Sequence, residues 1–553
     1  MKKHYLSLLL LFGLLTPTFA LTDICGISVA PDSQVAAFKN GDDVTVYIEY
    51  STDEAAGVRI FARPFSNGSL SPGYAASGSP LYTGSGTAVS SFTFPSGSVL
   101  VDEIRIEVVK SDNSSVLRRT WVPVHFSFGS VGVNHFSYSD DPEISSFLLG
   151  ENFTTSFQYD IGYPGGVRIF VRPYTNGGLT PGYSASGSGV YSGTGNVNAN
   201  FTINSGKNVH VDELRVRITN DNQTVTVDEF FIPVNLYFST VKITGIVPQV
   251  GNFPYSNESR TMTFDYSTTE AAGVRIFPRP WTNGGLTPNY SASGSGVYTG
   301  SGSTSSNFTI TAGNQRVDHV RFRATNSDQS EVLLEMLFPV EYTFGNFLVE
   351  NIILCPDSPA RLENGSMVNV HYDYYNDEGM DTRIFVRPFT NGSLSPGYGA
   401  SGSGLYATGA GTNEDDFTIF TPNNVVVDQL RFQVTNADQS QTLAEYFVPV
   451  HYVFGTVTVP TFNPEEGVQE VVVFPNPAAD EAFVSFSLTE EQDVKLCVTD
   501  LSGKLVRNAG IRHIQADAKE QWTVPVQTLQ AGTYMVMLEG ESFRSVKKLV
   551  VSK

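Results

Sequence analysis

Val58-Arg59-Ile60-Phe61-Ala62-Arg63-Pro64 is the stretch that decides the fold. Val58, Ile60 and Ala62 alternate with Arg59, Phe61 and Arg63, which is the period of a half-buried β-strand. The pattern Arg-Ile-Phe-x-Arg-Pro starts at Arg59 and returns at Arg168, Arg275 and Arg383, at spacings of 109, 107 and 108 residues. A period of that length is one small β-domain, so the chain reads as four copies of one unit.

The flanking sequence supplies the rest of the unit. Residues 102–108 and 122–126 alternate in the same way, and further strands are expected near Ile27, over 44–50 and around 92–94. Ser111-Asp112-Asn113, Asn220-Asp221-Asn222, Asn326-Ser327-Asp328 and Asn436-Ala437-Asp438 read as hairpin turns, where Asn and Asp tolerate tight dihedrals. The next strand carries Pro123, Pro233, Pro339 or Pro449, which marks it as an edge or a bulged strand because proline donates no ladder bond. No convincing helix appears. The expected fold class is all-β: a tandem array of four immunoglobulin-like antiparallel β-sandwich repeats at 22–129, 130–239, 240–346 and 347–457, forming a modular rod.

The chain opens with Lys2 and Lys3, an apolar run over 6–15 and Thr18-Phe19-Ala20, so residues 1–20 read as a cleaved secretory signal. No later apolar run is long enough for a transmembrane segment. A net charge of −21 argues against nucleic acid and anionic membranes as partners, and 41% hydrophobic residues suffice for packed cores. Cys25, Cys355 and Cys497 fall in three different segments, so no disulfide framework repeats and cohesion is assigned to the cores.

After a linker at 458–470, residues 471–553 abandon the repeat and read as another small β-sandwich. They contain Phe474-Pro475-Asn476-Pro477-Ala478, then Asp500-x-x-Gly503-Lys504, Ala531-Gly532-x-Tyr534, and Lys547-Lys548-Leu549-Val550-Val551 closing on Lys553. In these motifs and their order the segment resembles the type A C-terminal sorting domains of the bacterial type IX secretion system. The resemblance implies that the chain's partner is the type IX secretion machinery. It also implies an extracellular or outer-membrane surface location and, usually, removal of the domain after transport.

Catalytic signatures are missing. His-Glu-x-x-His and Cys-x-x-Cys do not occur, no histidine recurs in all four repeats, and Gly-Ser-rich strings imitate a nucleophile elbow without carrying weight. No catalytic residue and no cofactor is assigned, and the chain is not expected to be an enzyme. Asp102, Asp212, Asp318 and Asp428 recur, each followed three residues on by Arg105, Arg215, Arg321 or Arg431. They read as part of a cross-strand charge ladder in which Arg59 and Arg63 face the strand of Glu103 and Arg105. Calcium is the alternative, but the clustered carboxylates it needs are missing, so no metal ligand is assigned.

The long Gly/Ser-rich loop after each Arg-Ile-Phe strand holds the candidate ligand-binding residues. These are Phe65, Tyr174, Trp281 and Phe389; Tyr74, Tyr183, Tyr290 and Tyr398; and Tyr82, Tyr191, Tyr298 and Tyr406. Aromatic rings with polar rims stack on sugars or protein partners, and long loops are commonly functional. The alternative for each residue is that it pins the loop to the sheet. The expected function is therefore multivalent adhesion to polysaccharide or extracellular matrix, with a non-binding structural stalk or surface-layer component as the alternative.

Overall fold

The computed structural model describes residues 22–31, 34–248, 258–421, 423–455 and, in the C-terminal part, 468–474, 478, 479, 481–488, 492–500, 505–515, 519–527, 529, 532–539 and 544–551. The stretch read as a signal, 1–20, and most of the linker lie outside these residues. Among the described residues every regular element is a β-strand, and no helix is long and apolar enough to cross a membrane.

The second repeat shows the common plan. Val131–Tyr138, Asn152–Ile161 and Gly193–Ile203 pair antiparallel as one sheet. Val167–Thr175, Val209–Asn220 and Thr226–Ser239 form the facing sheet, also antiparallel. Inward residues such as Phe153, Phe157, Phe201, Val216 and Phe238 fill the space between them. The other three repeats have the same two sheets and separate cores of their own. Full burial of each such side chain is worth about 1.5–3 kcal/mol.

Two details depart from the alternation. A short segment after the first strand crosses to the second sheet and runs parallel to its last strand: Val35–Lys39 on Val116–Gly129, Ser145–Leu148 on Thr226–Ser239, and Ala360–Leu362 on Thr442–Phe454. Such segments are too short to show a period, so the purely antiparallel expectation missed them. The bulge sits opposite the proline: Pro123 pairs with Glu103, and the register slips at Asp102 beside it, as it does at Asp212, Asp318 and Asp428. The slip lets the ladder pass a residue without an N–H.

The repeats do not form a rod. Each one packs on the next through the first half of the next repeat's last strand, and the fourth packs on the first in the same way. Between repeats one and two, Ser127 Oγ donates to Asp228. Between two and three, Asn208 N–H donates to Leu333 O (3.0 Å) and Glu335 N–H to Asn208 Oδ1 (2.6 Å). Between three and four, Asn314 Nδ2 donates to Leu443 O (2.9 Å), the equivalent carbonyl. The fourth repeat then reaches the first. Arg361 forks onto Glu103, with Nε 2.6 Å from Oε1, and Ala360–Leu362 bridges the last strand of repeat one at Arg361 and Trp121.

The contacts therefore run in a closed cycle. Peptide bonds join repeats one to two, two to three and three to four, and a disulfide between Cys25 and Cys355, 330 residues apart, supplies the fourth covalent link. This corrects the assignment of all cohesion to packed cores. It was illegible in the repeat because the pair occurs only once.

Candidate binding clefts and the sorting domain

The Arg-Ile-Phe sentence is a staple. Arg59 donates from Nε to Ser111 O in the hairpin turn (3.0 Å) and from Nη1 to Ser79 O in the long loop (2.6 Å), while Ile60 N–H donates to Ser79 Oγ (2.8 Å). Arg168, Arg275 and Arg383 do the same with Asp221 and Ser188, Ser327 and Ser295, and Ala437 and Ser403. The loop is thus held down at its middle. It also lends an edge strand to the opposite sheet, as Tyr183–Ala185, Tyr290–Ala292 and Tyr398–Ala400 do, and Tyr82 exchanges both backbone bonds with Val58.

The loop aromatics are used up in this pinning. Phe65, Tyr174 and Phe389 are buried and Trp281 is half-buried. Each ring is covered by a guanidinium from the neighbouring strand: Arg105 at 4.8 Å, Arg215 at 5.0 Å, Arg321 at 4.8 Å and Arg431 at 4.9 Å. A cation–π contact of this kind takes one face of each ring. Tyr74, Tyr183, Tyr290 and Tyr398 are half-buried against their repeat's core. Tyr82, Tyr191, Tyr298 and Tyr406 pack at tilted or edge-on angles against Tyr50, Tyr159, Tyr266 and Tyr374 with centroids 5.0–5.2 Å apart. What the loops do expose is aliphatic: Leu70, Leu179, Leu286 and Leu394, then Leu81, Val190, Val297 and Leu405, two equivalent positions in every repeat.

The expected charge ladder takes a different form. The register sets Arg63 opposite Arg105 and Arg172 opposite Arg215, like charges facing, so the arginines stack on rings and reach carboxylates elsewhere, as Arg105 does to Glu107 at 3.6 Å. The recurring aspartates cap turns. Asp102, Asp212, Asp318 and Asp428 accept the N–H of Asn67, Asn176, Asn283 and Asn391 at 2.6–2.9 Å, and these asparagines all have φ near +50°.

Among the described residues, the second and fourth repeats each line a cleft that sequence reasoning missed. The first strand of every repeat has a register slip at a residue of positive φ: Gly26, His135, Gly245 and Asn351. Where this residue is glycine, the neighbouring strand's carboxylate lies over it; a Cβ on Gly26 would sit 2.9 Å from Glu49, and one on Gly245 2.6 Å from Asp265. At Asn351 a side chain occupies that place instead, and its Nδ2 donates to Asp373 Oδ2 (2.7 Å). In those two repeats a cleft opens at the same place. One, of about 370 Å³, is lined by Glu350, Asn351, Asp373, Tyr374, Tyr375 and Thr412 among others. The other, of about 520 Å³, is lined by the corresponding Asn134, His135, Gln158, Tyr159, Asp160 and Asn196, with Phe38, Asp42 and Asp43 of repeat one as its far wall.

Both clefts are acidic and rich in planar acceptors and donors. Lys39 Nζ holds Asp160 at 2.8 Å, and burial together with the Asp160 charge pushes the Asp42 carboxyl up from the ordinary aspartate value, against the Lys39 N–H bond that lowers it. The only legible signal was Tyr50, Tyr159, Tyr266 and Tyr374, which share the repeat's period and mark the strand on which each cleft lies.

In the C-terminal domain, Val468–Phe474, Glu481–Leu488 and Lys519–Pro525 face a sheet of Leu505–Ile514, Gln492–Asp500, Gly532–Glu539 and Arg544–Val551 across a core that includes Phe486, Trp522 and Leu538. The first strand begins inside the stretch read as linker. The motifs meet in space: Asp500 pairs with Tyr534, Tyr534 with Leu549, Gly532 with Val551, and Ala478 bridges Val551. Tyr534 is buried and Lys547 exposed. Pro475, Asn476, Pro477, Gly503, Lys504 and Lys553 lie outside the described residues, as does the side chain of Lys548.

Residues 472–552 match the family described as the secretion system C-terminal sorting domain. This segment is a type IX sorting domain. The sorting domain directs the chain through the type IX secretion machinery to the cell surface or extracellular space. No curated protein matches the chain. Among solved structures, Escherichia coli alpha-2-macroglobulin activated by porcine elastase is similar at 12% identity over 96% of this chain and 53% of its own, with a TM-score of 0.19. The N-terminal eight Ig domains of Down Syndrome Cell Adhesion Molecule isoform 1.30.30 are similar at 10% identity over 94% and 67%, with a TM-score of 0.20. A Porphyromonas gingivalis W83 protein of unknown function is similar at 10% identity over 38% and 98%, with a TM-score of 0.16. The chain spans about half or less of the macroglobulin structures it matches. Likenesses this low bear on neither the arrangement nor the role of the repeats ahead of the sorting domain.

Proposed function

We propose that the exported chain is a non-enzymatic binding protein that engages a neutral polysaccharide through the clefts of its second and fourth repeats. The observation that carries this reading is the recurrence of one cleft at equivalent positions in two repeats. Carboxylates and amides beside a tyrosine suit ligands that present many hydroxyls over an apolar ring face. The acidic lining disfavours anionic polymers. Two sites on one chain gain from linkage, so weak individual affinities suffice. A stalk whose repeats only set length fits poorly, because a closed cycle extends nothing.

The exposed leucines and valines at the loop tips favour a second reading, contact with matrix protein. The test is retention of the exported chain on insoluble polysaccharides and on matrix proteins, compared with a variant combining Asp373→Ala, Tyr375→Ala and Gln158→Ala. Loss of polysaccharide retention in the variant supports the proposal. Retention only on matrix protein, indifferent to these changes, moves the function to the loop tips.

A further inference from the structure

The junction between the fourth and first repeats brings together three side chains that no repeat contains by itself. Asp23 comes from the first strand of repeat one, while His371 and Glu414 face each other across neighbouring strands of repeat four. Asp23 Oδ2 lies 4.0 Å from His371 Nε2, and His371 Nδ1 lies 3.7 Å from Glu414 Oε2. One ligand atom from each residue falls within 4.8 Å of the other two. These separations exceed a hydrogen bond. One imidazole nitrogen serves one ion, so the donor set is that nitrogen and two carboxylate oxygens within 4.8 Å of one another. An ion on bonds of about 2.0–2.2 Å holds tetrahedral donors roughly 3.3–3.6 Å apart, a closing of about 1 Å that half-exposed His371 and exposed Glu414 can supply.

We propose that Asp23, His371 and Glu414 form a divalent transition-metal site that clamps repeat four to repeat one. Asp23 is the fixed member. It is nearly buried, and its Oδ1 is engaged by Arg118 Nη2 at 3.0 Å and Asn369 Nδ2 at 2.5 Å, which leaves Oδ2 turned toward His371. Arg118 is itself anchored by donating to Met367 O (2.6 Å), so the carboxylate is oriented by groups from both repeats. Such outer partners orient metal-bound carboxylates and imidazoles generally. One imidazole and two carboxylates favour zinc over calcium, which takes six to eight oxygens. Half-exposed His371 and exposed Glu414 leave the remaining coordination positions to water.

The experiment uses the full exported chain, stripped with chelator and titrated with Zn²⁺ or Ca²⁺ alone, with binding followed by calorimetry and closure by thermal melting. One saturable Zn²⁺ equivalent is expected, with an upward Tm shift on the order of a few degrees. Glu414→Gln, on the exposed side, keeps the fold and should weaken Zn²⁺ binding at least tenfold; His371→Ala should abolish it. In a Cys25→Ser/Cys355→Ser variant, Zn²⁺ should still hold repeats one and four together in solution scattering, and chelator should release them. Unchanged Zn²⁺ affinity in Glu414→Gln and His371→Ala, a preference for Ca²⁺, or no saturable binding overturns the proposal.

Discussion

The guanidinium of Arg361 in the fourth repeat lies 4.2 Å over the ring of Trp121 in the first, while its Nε and Nη2 edge forks onto the two carboxylate oxygens of Glu103. Residues that begin 240 positions apart in sequence thus share one stacked and charge-paired contact. Together with the Cys25–Cys355 disulfide it turns a string of sandwiches into a cycle.

Removing Arg361 leaves Glu103 part-buried without its partner, which costs about 2–3 kcal/mol for a pair of this burial. Arg361→Ala should therefore loosen the junction between repeats four and one. Arg361→Lys should rescue little, because an ammonium can neither fork onto the carboxylate nor lie flat on the indole. Hydrogen exchange along Val116–Gly129 reads the loosening directly; protection equal to that of the parent would contradict the contact's role.

Asp357 gives the junction a pH dependence of known sign. Burial raises its pKa above 3.8, against the opposing bond from Ile27 N–H at 2.8 Å. Between the unfolded and folded values the folded state holds more protons, so stability falls as pH rises through that window and is flat above it. Asp42, Asp415 and Asp416 shift the same way by burial. Urea midpoints measured from pH 3.5 to 7 should fall less for Asp357→Asn than for the parent, and parallel curves would count against this assignment.

Asp212 satisfies the N–H of Asn176, a residue at φ +49° in the turn that opens the long loop. Asp212→Ala should cost about 1 kcal/mol, the usual worth of such a bond, and make the second loop the first to be cut in limited proteolysis. Unchanged cleavage order would show that the Arg168 staple alone holds the loop.

His135→Gly should shut the cleft of the second repeat. With glycine at this bulge in repeats one and three, the neighbouring carboxylate folds over it, and Gln158 should do the same. The positive φ of His135 also suits glycine better, so stability should rise slightly or hold, by up to about 1 kcal/mol. Weaker polysaccharide retention without loss of Tm is the expected result; full retention would place the ligand elsewhere.

Sequence pattern revealed what the repeats share and hid what they do not. The alternation at Val58 to Ala62, the hairpin turns and the repeat period are local signals written four times. Cys25, Cys355, Arg361, Trp121 and Asp23 each occur at one position in one repeat, so reading by recurrence passed over the residues that close the cycle. The candidate aromatics failed for a different reason. Alternation puts Phe65 on the outer face of its sheet, but only the register of the next strand shows Arg105 lying across it. The two clefts lie where the bulge residue is His135 or Asn351 and not glycine, a difference at one position of a strand slip that carries no periodic signature. The sorting motifs were legible because they stand close together in a short segment and in a recognisable order, and of their described residues Asp500, Tyr534 and Leu549 pair across one sheet.

In the closed cycle the last repeat returns to the first and is tied to it by the Cys25–Cys355 bond. Peptide mapping of the exported chain under non-reducing conditions, with free thiols blocked beforehand, tests it most directly. An intramolecular link between the peptides holding Cys25 and Cys355 in a monomer is expected. Finding both as blocked free thiols, or joined only between separate chains, would contradict the closed cycle.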